Sequence, residues 1–369
     1  MIAIPGVIQA VAELRDGERP GVVEVFHRAP TAANLHEYER SLADASLVAR
    51  RARPWTQYVL FRYLDDAGEN AIVGREGWLF YRPGVRYVVE GRGRPATSAD
   101  DPLPAIRSFR DQLAARGIRL LVVIAPNKES VYPEKLAVRA QGVGVVVCPR
   151  TRDLMDRLRE ASIDSVNLFD VFRRAREIQR ADGEENLYLV QDSHWSALGA
   201  RLAATAVARQ ALEGGAVTPG SERYVERPTT ARRLGDVLQM LQVPLLEHVT
   251  EPETLSCGQV IDQQTGKPYH DEPGARVLVL GDSFLRIYER DEPGSAGFIA
   301  HLARELKQPL TSIVNDGGAS TIVRQALARR PQFLSNKTLV IWEFVERDIR
   351  DGAEGWRIIR LPEPRSMRE

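Results

Sequence analysis

Asp192-Ser193-His194-Trp195 and Gly281-Asp282-Ser283-Phe284 place an acid, a base and a hydroxyl in two short blocks of one chain. Serine acyl chemistry requires those three residue types. A hydroxyl is a poor nucleophile near neutral pH until a base takes its proton, and the base works best when a third group orients it. Ser283 is the candidate nucleophile, His194 the candidate base and Asp192 the residue that would hold His194. In an extended segment, residues two apart project to the same side, which would let Asp192 reach one imidazole nitrogen and leave the other for Ser283. Acyl transfer also needs donors already aimed at the oxyanion of the tetrahedral intermediate. The Ser283 N–H is one candidate. The paired glycines of Asn315-Asp316-Gly317-Gly318 would let a backbone amide come close, with Gly318 the first choice and Gly317 the second. Asn127 and Lys128 either reach the same edge as oxyanion or substrate contacts or form a solvated strand end.

These residues need a scaffold, and the hydropathy pattern supplies one. The run Arg276-Val277-Leu278-Val279-Leu280 reads as a buried strand, so Ser283 would sit at the carboxyl end of a sheet, where open α/β sheets bind ligands. Ser196 opens an alanine-rich helix closed by Gly214-Gly215, which puts His194 on the loop before it. Apolar segments at 118–125, 151–161, 166–169, 198–212, 276–280, 298–306, 310–314 and 339–344 alternate strand and helix, the pattern of a parallel sheet flanked by helices. Residues 1–70 read as an N-terminal helical segment packing on the core, with one helix over 35–51 that closes before Pro54 and a second over 55–64. The main domain then covers 71–360, interrupted at about 213–273 by an irregular insertion holding one short helix at 234–241, and 361–369 form a tail.

Several segments, taken in order, resemble the alginate O-acetyltransferase family, a permuted branch of the SGNH (GDSL-type) hydrolase superfamily. They are Gly74-Arg75-Glu76-Gly77-Trp78-Leu79-Phe80-Tyr81, then Ala125-Pro126-Asn127-Lys128 with Tyr132-Pro133, then the Asp192 block. Gly235-Asp236-Val237-Leu238-Gln239-Met240-Leu241 and the Ser283 block follow. Ordinary SGNH enzymes carry the serine block first and the Asp/His block last; the order here is reversed, as in the permuted branch. The resemblance implies an SGNH-hydrolase-like fold, with Ser283 as nucleophile, His194 as base and then acid, and Asp192 as its orienting residue. It implies acetyl transfer to hydroxyls of an extracytoplasmic polysaccharide, with a membrane-bound O-acyltransferase as acetyl donor. It also implies a periplasmic or extracytoplasmic location, with an anchor or signal preceding this chain. The Gly-x-Asn-Asp segment that gives ordinary SGNH enzymes an oxyanion-hole Asn has no counterpart, which leaves one oxyanion contact unassigned.

Composition narrows the alternatives. In 369 residues, Lys plus Arg and Asp plus Glu number 50 each, so no net basic field draws in nucleic acid. No apolar run approaches the roughly 20 residues that span a bilayer. The two cysteines, Cys148 and Cys257, permit one disulfide at most. Histidines are dispersed and neither metal-ligand spacing nor a phosphate loop occurs, so no cofactor or metal is expected. Two other functions share these residues: an esterase with water as acceptor, or an idle polysaccharide-binding or assembly protein. In the latter, Trp78, Tyr81, Tyr87 and Trp195 would stack on sugars, against their alternative as core residues. Arg75, Arg82 and Arg86 are a candidate basic patch, or simply a solvated face.

Overall fold

The computed structural model describes residues 3–15, 17, 31–32, 34, 47–90, 101–182, 185–351 and 355–363. The chain divides into two units, one formed by 1–69 with 238–251, the other by 70–237 with 252–369. In the smaller unit, Leu47–Leu64 is one helix with Pro54 inside it. The expected stop before Pro54 does not occur, because proline strains a helix interior without forbidding it and Ala3–Arg15 and Pro244–Val249 both pack on this helix. Residues 35–46 of the helix expected over 35–51 lie outside the described residues.

The larger unit is built on five parallel strands in the order β4-β3-β9-β7-β8, where β3 is Arg119–Ala125, β4 Asp164–Val166, β7 Val277–Gly281, β8 Thr311–Val314 and β9 Leu339–Val345. Every residue of β7 and β9 is buried, as a central strand covered on both faces demands. Alternation along these strands divides two cores. Val277, Val279 and Ile341 face one that holds helices α3 (Leu168–Asp182), α4 (Ala197–Glu213) and α5 (Phe298–Leu306). Leu278, Leu280 and Trp342 face the other, with α1 (Pro102–Ala114), α2 (Pro149–Glu160) and α6 (Ile322–Ala328). Cys148 and Cys257 lie in opposite cores as free thiols, which excludes a disulfide between them in this fold.

Two segments differ from the sequence reading. The strand expected over 166–169 ends at Val166, and Leu168 and Phe169 instead open α3, sending one apolar side chain into each core. The stretch read as irregular contains a long antiparallel ribbon, β5 (Tyr224–Arg233) paired with β6 (Glu253–Asp262) in unbroken register. Pro228 is tolerated there because β5 pairs on one side only. A short antiparallel pair, β1 (Ala71–Val73) and β2 (Leu79–Tyr81), opens the unit.

Candidate active site

β7 ends at Gly281, and Asp282 then caps a four-residue helix, Ser283–Arg286, by accepting the Phe284 N–H at 2.8 Å. Ser283 is thereby lifted off the carboxyl edge of the sheet at the mouth of a cavity of about 190 Å³. Its partner arrives from the segment before α4, whose Ser196 caps that helix through the Gly199 N–H at 3.1 Å. The Nε2 of His194 stands 2.7 Å from the Ser283 Oγ, and its Nδ1 is 2.6 Å from the Asp192 Oδ1. Trp195 ties the two blocks together, its Nε1 donating to the Phe284 carbonyl at 3.0 Å.

Asp192 and His194 meet through a bend rather than an extended segment. Asp192 Oδ1 also accepts the His194 backbone N–H at 3.0 Å, an Asx-type turn that brings the imidazole back over the carboxylate. The other oxygen, Oδ2, takes Arg233 Nε at 2.8 Å and the Asp236 N–H at 3.1 Å. Gly235 allows that approach, since a Cβ there would meet the Gln191 carbonyl oxygen at 2.1 Å. Asp236 in turn accepts the Ser193 N–H and Oγ–H, each at 2.6 Å.

Burial opposes charge throughout this cluster, but specific partners decide the outcome. Burial would push the Asp192 carboxyl up, yet the charge and hydrogen bond of His194, with Arg233, hold it well below the usual carboxylate range. Burial would likewise lower His194, and Asp192 outweighs it, so the imidazole is a stronger base than a free one. Asp236 is pushed up by burial and then by the charge of Asp192. One ligand atom from each of Asp192, His194 and Asp236 lies within 4.8 Å of the others, a spacing that a cation could bridge. The hydrogen bonds above already occupy both imidazole nitrogens and both Asp192 oxygens.

The other expected site residues fare differently. Gly317 and Gly318 line the cavity, but their amides turn back on Asn315: Gly317 N–H donates to its Oδ1 at 2.8 Å, and Gly318 N–H to its carbonyl at 3.3 Å. Both amides are thus engaged: the Asn315 side chain captures the N–H two residues on in an Asx turn, and its carbonyl accepts the next one. Gly318 does need to be glycine, at φ +131°. Asn127 and Lys128 face neither the cleft nor solvent. Asn127 is 1 % exposed with its N–H on Glu346, and Lys128, 2 % exposed, donates to the carbonyls of Leu79 (2.6 Å), Val190 (2.7 Å) and Asp192 (3.0 Å). Lys128 therefore pins the Asp192 loop to β2 from beneath. Trp78, Tyr87 and Trp195 are core residues, while Tyr81 borders the cavity. Arg75, Arg82 and Arg86 form no shared patch: the first two donate to the backbone carbonyls of Glu134 and Ala71, and Arg86 lies beside Glu90.

The sequence reading assigned no role to Arg233, Asp236 or Arg347. Asp236 lay inside a matched motif, whereas Arg233 and Arg347 carried no local signal. Arg347 lines the cavity beside Ser283, with its guanidinium carbon 5.1 Å from the centre of the Tyr81 ring.

Residues 71–346 match the family described as SGNH hydrolase-like domain, acetyltransferase AlgX. "Probable alginate O-acetylase AlgJ" of Pseudomonas aeruginosa is 24% identical over 306 residues, covering 79% of this chain and 72% of the relative. The protein of the same name from Azotobacter vinelandii is 24% identical over 298 residues, covering 79% and 71%. Among solved structures, the O-acetyltransferase domain of Pseudomonas putida AlgJ superposes with a TM-score of 0.60 at 20% identity, over 76% of this chain and 92% of that one. Pseudomonas aeruginosa AlgX follows at 0.56 and 19%, over 74% of this chain and 62% of that one. These two likenesses establish the fold.

Proposed function

The chain belongs to the SGNH hydrolase-like acetyltransferase AlgX family, and from that premise we propose that it transfers acetyl groups to polysaccharide hydroxyls through an acetyl-Ser283 intermediate. The observation that carries this reading is the 2.7 Å contact between Ser283 Oγ and His194 Nε2, backed by Asp192 on Nδ1. Ser283 Oγ attacks the acetyl carbonyl while its proton passes to His194 Nε2, and Asp192 stabilises the imidazolium that results. The tetrahedral intermediate collapses with the leaving group taking the proton from His194. A sugar hydroxyl then enters, gives its proton to the same nitrogen and takes the acetyl group from Ser283, whose Oγ recovers that proton from His194 as it leaves.

The curated relatives are named for alginate, so a uronate polymer is the first acceptor to try. The reaction takes place outside the cytoplasm, with acetyl supplied by a membrane-bound O-acyltransferase. No helix among the described residues is long and apolar enough to cross a membrane.

The test is mass mapping of acid-quenched reactions with an activated acetyl ester, comparing the wild type with Ser283→Ala, with and without alginate. Acetyl on the Ser283 peptide that passes to polymer is the expected result. Acetate release at the same rate with or without polymer would identify an esterase, and the absence of label on a folded protein would remove the covalent mechanism.

A further inference from the structure

An oxyanion forms on the acetyl carbonyl when Ser283 attacks, and the fold must offer it donors. The two glycine amides nearest the cavity are spent on Asn315. Among the described residues the Ser283 N–H makes no hydrogen bond, so one backbone donor remains. A second source of N–H groups borders the same cavity. Leu280 pairs with Trp342 in the sheet, so Ser283 and Val345 leave it at the same level, and Arg347 lies two residues further on. Its guanidinium rests over the Tyr81 ring at 5.1 Å and lies 5.8 Å from the Phe284 ring centroid. A guanidinium held by ring contacts keeps its N–H groups available.

The Arg347 guanidinium makes no hydrogen bond or close ion pair among the described residues, although the residue is half-buried and three carboxylates lie nearby. A cation kept only to neutralise those acids would be expected to bind one directly. Burial works against its charge, but Asp348, Asp282 and Glu129 outweigh that and keep it protonated. A fixed charge with unspent donors beside a nucleophile is suited to stabilising negative charge that appears only in the transition state.

We propose that Arg347 is a catalytic residue whose guanidinium donates, together with the Ser283 N–H, to the oxyanion of both tetrahedral intermediates. This fills the contact that the missing Asn leaves open, and it rests on the acetyl-Ser283 reading above. Arg347 forms no covalent bond and gives up no proton.

Rapid-quench measurement of Ser283 acylation by 4-nitrophenyl acetate tests it, using wild type, Arg347→Met, Arg347→Lys and Ser283→Ala, each checked for folding by thermal melting. Arg347→Met should slow acylation about 100- to 1,000-fold with little change in the half-saturating ester concentration. Arg347→Lys, which keeps the charge but loses the fork, should be slowed about tenfold. Wild-type acylation by folded Arg347→Met overturns the proposal. So does an effect confined to half-saturation by the polysaccharide, which would make Arg347 an acceptor-binding residue. Should Arg347→Met fail to fold, Arg347→Lys decides, and acylation at the wild-type rate in that variant overturns the proposal. If the wild type shows no Ser283-dependent label, the acyl-enzyme reading itself fails and this proposal falls with it.

Discussion

Two groups of buried carboxylates flank Ser283, and the fold treats them in opposite ways. On the histidine side, Asp192 is fully buried yet receives four donors: the His194 N–H and Nδ1, Arg233 Nε and the Asp236 N–H. It is held well below the usual carboxylate range. On the sheet side, Asp282 receives the Phe284 N–H and Glu343 the Asp282 N–H, while Asp282 Oδ2 and Glu343 Oε1 have no partner. Burial pushes both up, and the charge of Asp282 adds to burial in raising Glu343 well above its ordinary value. Burial is common to both groups. The number of donors decides whether a buried carboxyl is held below the usual range, as Asp192 is, or pushed above it, as Asp282 and Glu343 are.

The contrast breaks most severely at Asp192. Asp192→Asn should lower kcat by about 10⁴-fold, the scale seen when a triad loses its orienting carboxylate. Since Asp192 is the main influence raising His194, the acid limb of the kcat/KM profile should move to lower pH in the variant. Removing a donor comes next. Arg233→Met leaves Asp192 and Asp291 each short of a cation and should cost about 3 kcal/mol in urea unfolding. Lys128→Met strips the donor from three carbonyls and should cost about 1–3 kcal/mol, read as a drop in melting temperature.

The smallest effect sharpens the comparison. At acid pH, where Glu343 is protonated in the folded and unfolded chain alike, Glu343→Gln should change stability by less than about 1 kcal/mol, because a protonated acid and an amide are alike in shape and charge. Its sign shows in the pH dependence. A raised folded pKa gives a contribution that is complete below the ordinary glutamate value and is lost as pH rises through the folded one. The wild type should therefore lose stability over that window, and Glu343→Gln should flatten the slope in pH-dependent urea titrations. Asp192 has the opposite sign: its contribution is present above the ordinary aspartate value and is lost on acidification.

Continuous branched runs made the sheet easy to read. Strands expected at 276–280, 310–314 and 339–344 appear at Val277–Gly281, Thr311–Val314 and Leu339–Val345, because a strand buried on both faces has few other ways to be written. The start of α3 was misread because Leu168-Phe169 prolongs an apolar run, and two residues cannot reveal a helical period. The β5–β6 ribbon was hidden by Pro228 and by a strand whose residues are mostly exposed or half-exposed, so no clean alternation survives.

At the site, the three candidate side chains, Asp192, His194 and Ser283, could be singled out because they lie in two compact blocks. Arg233 lies 41 residues from Asp192 and Asp236 lies 44, and contacts of that span leave no local trace. The turn that engages the Gly317 N–H was also written in the sequence: Asn315 stands two residues before Gly317, the spacing of an Asx turn.

Chain separation within the site also bears on how it assembles. Asp192 and His194 are two residues apart, whereas His194 and Ser283 are separated by 89. Closing the first contact costs almost no chain entropy, while the second requires β7 and the segment before α4 to be in place. The Asp192–His194 contact belongs to local structure and the His194–Ser283 contact to global topology. Reactivity at Ser283 should therefore return during refolding only with the last cooperative phase, after the bend around His194 has formed.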